Sequence, residues 1–257
     1  MPRQARNFRT PALVLRRQDF GEADRLLTLL TPQHGKLRAI AKGARKPAAR
    51  KSGHVELFAL VDMLLARGRE LYIVVQAELQ EPFLPLRENL VRSSYASYLA
   101  ELMDRFTGED DSSPAEFDLL TRALGWLCEE SDPPLVARYY ELRLLQLAGF
   151  APALHHCAVG QEPLEPRDQF FSPADGGVVC PEHHSGTERE LPLNLTALKT
   201  LRYLQTQRWQ AVRALHVRRP LHQELERVML AYLTYVLERR LQSVDFLRRL
   251  RREDFDV

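Results

Sequence analysis

The stretch that decides the fold of the first part of the chain runs from residue 10 to residue 41: TPALVLRRQDFGEADRLLTLLTPQHGKLRAIA. It holds three runs of β-type composition, at Thr10–Arg17, Arg25–Thr31 and Lys36–Ala41. The second and third runs are separated by Pro-Gln-His-Gly at 32–35, which supplies the turn residues of a short hairpin connection. The pattern therefore predicts consecutive, closely spaced strands.

Two further β-type runs follow, at Leu57–Ala66 and Glu70–Leu79, joined by the turn Arg67-Gly68-Arg69. No helix long enough for a parallel crossover lies between any of the five runs, so we expect antiparallel pairing. Five closely spaced strands of this kind favour a small barrel or sandwich, and a five-stranded barrel of the OB type is the most economical choice. Residues 42–53, between the third and fourth runs, form a basic loop with Gly and Pro.

The spacing of apolar residues changes beyond Glu81-Pro82 from a period of two to a helical period. Ser113-Pro114-Ala115-Glu116 is a capping box, and Asp132-Pro133 predicts a second helix start. The longest helix is expected to begin near Pro220 and to bury one face of its apolar stripe. We therefore predict a multi-domain β + α protein, with an OB-type barrel at 1–82 and an α-helical domain at 83–257.

Charge is distributed unevenly along the chain. The chain has 36 Lys and Arg and 34 Asp and Glu; of these, 13 basic and 3 acidic residues lie in positions 1–51, a balance of +10 there and −8 in the rest. A basic field of this size on a small domain attracts polyanions, and nucleic acid is the first such partner to consider. A basic disordered arm is the alternative, but the cations alternate with strand-like apolar residues.

Residues 150–192 differ from the helices around them, since they are rich in Pro, Gly, His and Cys. Cys180 and His183 are three residues apart, a spacing at which a tight turn can direct both side chains to one tetrahedral Zn²⁺. Cys157 would be a third ligand, with His156 or His184 as the fourth. The alternative is a loop held by packing without metal. The cofactor expectation is therefore zinc or none, in a zinc-finger-like insertion.

Several classes of protein are not supported by the sequence. It contains no phosphate-binding loop, no Gly-x-Ser-x-Gly, no His-Glu-x-x-His and no dinucleotide-binding fingerprint, so we do not expect an enzyme or any catalytic residue. No apolar stretch is long enough for a membrane span or a signal peptide, which predicts a cytoplasmic protein. Four aromatic residues of the first domain could stack on bases, but we expect each to pack in the barrel or at its ends: Phe8, Phe20, Phe58 and Tyr72.

Three groups of residues resemble the RecO family of DNA repair proteins. The first comprises residues 12–31, Gly35-Lys36 and residues 41–46. The second comprises Gly149-Phe150, Pro152, Leu154, Cys157, Phe171-Ser172, Gly176-Gly177 and Cys180-Pro181, which are similar to the family's zinc-finger-like insertion. The third is residues 241–247, with Gln242 where lysine is common. Many members carry two Cys-x-x-Cys pairs, whereas this chain has Gly160 and His183 at the second and fourth positions.

The resemblance implies an OB-fold followed by a helical domain. It also implies binding of single- and double-stranded DNA, annealing of complementary strands, association with RecR and with single-stranded-DNA-binding protein, and loading of RecA. We expect DNA affinity to come from the basic residues of the first domain: Arg16, Arg17, Arg25, Lys36, Arg38, Lys42, Arg45, Lys46, Arg50 and Lys51. An interaction scaffold for an acidic protein tail and an RNA-binding OB module are the alternatives.

Overall fold

The computed structural model describes residues 7–45, 55–109, 111–112, 114–238 and 243. The chain divides into two compact units, Met1–Glu129 and Glu130–Val257. The first unit therefore contains the helices up to residue 129 in addition to the barrel. The domain boundary that we predicted at residue 82 stays a prediction.

The five predicted strands are all present in the first unit. They are β1 Asn7–Phe20, β2 Asp24–Thr31, β3 Gly35–Ala41, β4 Leu60–Arg67 and β5 Tyr72–Glu81. They close into a barrel in the order β1-β2-β3-β5-β4. The long strand β1 takes part in two pairings, with β4 from Asn7↔Ala66 to Leu13↔Leu60 and with β2 from Leu13↔Leu30 to Phe20↔Asp24. The OB-type barrel is thus confirmed.

One pairing differs from the prediction that all strands are antiparallel. β3 and β5 run parallel, through Ala39↔Tyr72 and Ile40↔Ile73. The prediction was wrong here because it looked only for a helix as the crossover. The chain instead crosses over through β4, which pairs antiparallel with both β1 and β5.

The barrel interior is filled by small and medium aliphatic side chains that alternate along the strands, among them Val14, Leu27, Leu29 and Ala39. Three helices complete the unit: α1 Pro85–Glu88, α2 Leu90–Phe106 and α3 Pro114–Glu129. α2 begins where the Asn89 side chain accepts a hydrogen bond from the Arg92 amide. β1 contacts α2 and β2 contacts α3, so these helices cover part of the outer surface of the barrel.

The second unit combines helices with a small sheet. Its helices are α4 Pro133–Leu147, α5 Leu195–Thr206, α6 Trp209–Val212 and α7 Arg219–Leu237, and its strands are β6 Gln169–Ser172, β7 Gly177–Val179 and β8 Leu191–Leu193, in the order β7-β6-β8. α3 and α4 begin at Pro114 and Pro133 as predicted, the latter with a hydrogen bond from the Leu135 amide to the Asp132 side chain. Ser113 of the predicted capping box lies outside the described residues. Among the described residues, no helix is both long and apolar enough to span a membrane.

Candidate nucleic-acid interface and metal cluster

The outward-facing side chains of β1, β2 and β3 form one continuous surface, which we call the outer face. Residues paired across neighbouring strands project to the same side of a sheet, so the registers place them in rows. The rows are Leu13–Leu30–Lys36, Arg16–Thr28–Arg38, Gln18–Leu26–Ile40 and, at the far end, Phe20–Asp24. Lys42 follows β3 at that same end. The outer face thus carries several of the basic residues that we expected to contact DNA.

One end of the outer face lies under the helices. Leu13 and Leu30 are fully buried although neither belongs to the barrel interior. Beside them the Lys36 ammonium lies 3.2 Å from the Asp104 carboxylate on α2 and donates to the Asp104 carbonyl at 2.7 Å. Arg16 reaches the other oxygen of the same carboxylate at 2.6 Å. Lys36 therefore connects β3 to α2, and its charge is largely neutralised.

The opposite end of the outer face is open to solvent. Arg38 and Lys42 are exposed there and have no ion-pair partner among the residues that the structure describes. Phe20 is 49% exposed. The expectation that it packs in the barrel or at its ends is wrong for Phe20, because its side chain lies on the outer face in the row of Asp24. It holds for Phe58, which is buried, and for Phe8 and Tyr72, which pack against the core.

Three other predicted DNA contacts have acidic partners within the fold. Glu56 accepts from both Arg17 and Arg25, the latter at 2.9 Å. Arg45 lies 3.4 Å from the Asp19 carboxylate, and its side chain and amide donate to Gly21 and Ala23 carbonyls. Arg45 thereby fastens the start of the basic loop to the β1–β2 turn. Lys46, Arg50 and Lys51 lie outside the described residues.

The second unit brings four potential metal ligands together. The ligand atoms of Cys157, Glu162, Cys180 and His183 all lie within 4.8 Å of one another. His183 Nδ1 is 3.1 Å from Cys180 Sγ and 3.7 Å from Cys157 Sγ. Two thiols, an imidazole and a carboxylate are suitable ligands for a tetrahedral divalent cation, so this group could hold a metal ion.

The surroundings of the two sulfur atoms differ. Burial opposes ionisation of the Cys157 thiol, but backbone amides of Cys180 and Gly160 donate to its sulfur and leave its pKa below the ordinary value. Burial and the hydrogen bond to Glu162 raise the pKa of Cys180 to about 12. Cys180 therefore needs a nearby cation before it can serve as a thiolate ligand.

Comparison with known proteins covers both units. The family model described as Recombination protein O N terminal matches residues 5–83, and the one described as Recombination protein O C terminal matches residues 87–245. The chain belongs to the RecO family. It is 40% identical to the DNA repair protein RecO of Roseiflexus sp. strain RS-1, covering 94% of this chain and 85% of that protein. It is 35% identical to RecO of Dehalococcoides mccartyi strain 195 over 96% of this chain and 97% of the relative.

Three of the predicted zinc ligands lie together in this chain, and the fourth does not. Cys157, Cys180 and His183 are together, whereas neither His156 nor His184 is part of the group. His184 instead forms a hydrogen bond with Glu190, and its ring stacks on the Phe170 ring with the two ring centroids 3.6 Å apart. Sequence reasoning missed Glu162 because a single glutamate in an acidic, proline-rich loop has no distinguishing pattern. The zinc-finger-like insertion itself stays a prediction.

Proposed function

We propose that this protein acts in DNA repair by binding DNA on the open end of the outer face. The observation that carries the proposal is the combination of Phe20, Arg38 and Lys42, all exposed at one end of β1–β3. An OB barrel binds oligonucleotides on the face of its strands 2 and 3 and on the β1–β2 loop. Arg38 lies on β3, Lys42 directly follows β3, and Phe20 is the last residue of β1 before that loop. Single-strand binding combines cations for phosphates with rings on which bases stack, and both are available here.

Electrostatics support the same assignment. Arg38 and Lys42 have no carboxylate partner among the described residues, whereas Arg16, Arg17, Arg25 and Lys36 share carboxylates. Lys46, Arg50 and Lys51 lie outside the described residues, but they follow Arg45 within six positions of sequence and add to the positive charge of this part of the chain. Phosphate contacts of this type carry little sequence preference, so single- and double-stranded DNA are both expected ligands.

Membership of the RecO family supports a finer role. We propose that the protein anneals complementary strands and, with RecR, helps to load RecA onto DNA covered by single-stranded-DNA-binding protein. This role needs binding without bond-making, and we propose no catalytic residue. The remainder of the chain beyond residue 51, with its balance of −8, would be repelled by phosphate and is suited to protein partners. A protein that acts on chromosomal DNA is expected in the cytoplasm, at the nucleoid.

We also propose that the cluster in the second unit binds one zinc ion in a structural role. The ligand types, their close approach and the amide hydrogen bonds to Cys157 Sγ support this. Full-length protein should retain about one zinc per chain after mild chelation, because a four-ligand structural site is closed. Elemental analysis measures this, and a Cys180→Ala variant should lose the metal. Protein without zinc, or the variant with full zinc, contradicts the proposal.

The decisive experiment compares binding of single-stranded DNA, double-stranded DNA and RNA of equal length to the full-length protein across a salt series. Binding of DNA that weakens with salt is expected from an electrostatic surface. Equal or tighter binding of RNA favours the alternative of an RNA-binding module, since phosphate contacts alone do not separate the two nucleic acids. If the protein binds none of these three nucleic acids, the alternative of a protein-interaction scaffold is favoured.

A further inference from the structure

The loop that carries Cys157 has no side chain at the position where many RecO proteins have their second cysteine. That position is Gly160. A Cβ atom built on Gly160 would lie 2.1 Å from Glu162 Oε2 and 2.3 Å from the Cε1 atom of His183. Any side chain at 160 would thus point directly into the cluster. The space that it would occupy is filled instead by the Glu162 carboxylate and the edge of the His183 ring.

The backbone of this loop explains how Glu162 reaches that space. The Gln161 amide donates to the Cys157 carbonyl at 2.9 Å, and the Cys157 amide donates to the Glu162 carbonyl at 2.8 Å. Gln161 has a positive φ of 65°, which turns the chain back on itself. The two reciprocal hydrogen bonds hold Glu162 beside Cys157, so the placement of its side chain follows from a closed turn.

We infer that Glu162 is the fourth ligand of the zinc site, in the place of the missing cysteine. The inference rests on the proposed zinc binding. Glu162 Oε1 is 3.0 Å from Cys180 Sγ and 3.1 Å from His183 Nδ1. Ligand atoms bound tetrahedrally to one Zn²⁺ are separated by about 3.4–3.8 Å, given the usual metal–ligand bond lengths. Both Glu162 contacts are therefore within about 0.8 Å of the separations expected around a bound ion, and all four ligand atoms lie within 4.8 Å of one another.

The charge and the solvent exposure of this ligand set differ from those of a site with four thiolates. Two thiolates and one carboxylate leave a net charge of −1 around Zn²⁺, compared with −2 for four thiolates. Cys157 and Cys180 are buried, whereas the side chains of Glu162 and His183 are 43% and 40% exposed. A metal ion here would be held by sulfur from inside and by the harder oxygen and nitrogen ligands from the solvent side. A chelator would approach from that second side.

The experiment uses Co²⁺ and Zn²⁺ as probes of the full-length protein. Cobalt reports tetrahedral geometry through its ligand-field bands and the number of thiolates through its sulfur charge-transfer band. Glu162→Gln should weaken zinc binding by on the order of 100-fold or more, because loss of an outer-shell partner alone typically costs 10- to 100-fold. Glu165→Gln is the matched control, since Glu165 is exposed and pairs with Arg167 outside the cluster.

A rescue variant separates loss of a ligand from general damage. Gly160→Cys/Glu162→Ala should recover one zinc per chain and show the charge-transfer intensity of three thiolates instead of two. If Glu162→Gln keeps wild-type zinc affinity and an unchanged cobalt spectrum, the inference is overturned. Loss of metal in His156→Ala with retention in Glu162→Gln would identify His156 as the fourth ligand. Wild-type protein that takes up neither metal would refute the underlying zinc proposal instead.

Discussion

Lys36 on β3 and Asp104 on α2 are joined twice, by an ion pair of 3.2 Å to the carboxylate and by a hydrogen bond of 2.7 Å to the backbone carbonyl. Both side chains are about 15% exposed, at 15% and 14%. Arg38, two residues further along the same strand and on the same face, is exposed. Neighbouring cations on one strand thus have different environments, and we expect them to have different roles.

The first prediction contrasts these two cations. Lys36→Ala should lower the free energy of unfolding by about 1–3 kcal/mol, because it removes the hydrogen bond to the Asp104 carbonyl and leaves Arg16 as the one described cation that pairs with the mostly buried Asp104 carboxylate. Arg38→Ala should leave stability nearly unchanged and weaken DNA binding, as expected for a solvated surface charge. Denaturant unfolding and fluorescence anisotropy on both variants measure the two effects. If Lys36→Ala is as stable as wild type and binds DNA much more weakly, Lys36 is a DNA contact.

The second prediction concerns salt. Arg38→Ala/Lys42→Ala should reduce the slope of log affinity against log salt for single-stranded DNA by about 1.4, since each phosphate contact contributes roughly 0.7. The matched control is Arg87→Ala/Arg122→Ala, which removes the same charge from exposed positions on α1 and α3. A slope that changes equally in both double variants would show that only net charge matters.

The third prediction concerns Phe20. Phe20→Ala should weaken binding of single-stranded DNA by about 1–3 kcal/mol, or roughly 5- to 150-fold in Kd, because one base loses its stacking partner. Binding of duplex DNA should change little, since its bases are already stacked. Phe20→Trp should restore the affinity, and its fluorescence should be quenched by the single strand. Phe20→Ala that weakens duplex and single-strand binding equally would argue against stacking.

The fourth prediction concerns the stability of fragments that contain only part of the first unit. A fragment ending at Pro82 removes α2 and α3 and exposes Leu13 and Leu30, which would cost about 3–6 kcal/mol for the pair. This is a large share of the stability of an ordinary domain. A fragment ending at Glu129 keeps these contacts and should unfold at a clearly higher temperature in calorimetry. Equal melting temperatures would mean that the helices do not support the barrel.

The barrel was predictable because its signals are local: alternating side chains and short turns specify each strand within about ten residues of sequence. The environment of Lys36 was not, because Asp104 lies 68 positions away and no pattern connects the two residues. Glu162 escaped notice for a related reason. Its position beside Cys157 depends on the positive φ of Gln161. Cysteine and histidine, by contrast, are recognised as candidate metal ligands from their residue type alone.

The double pairing of β1 also has a consequence for the order in which the protein folds during synthesis. β1, β2 and β3 can associate as soon as residue 41 has left the ribosome, because their turns are short. The first half of β1 must wait for its partner, since Asn7 pairs with Ala66 across 59 positions. Until then the backbone groups of that half-strand stay unsatisfied by the nascent barrel. Ring closure joins distant parts of the chain, and contacts of that kind slow folding in general.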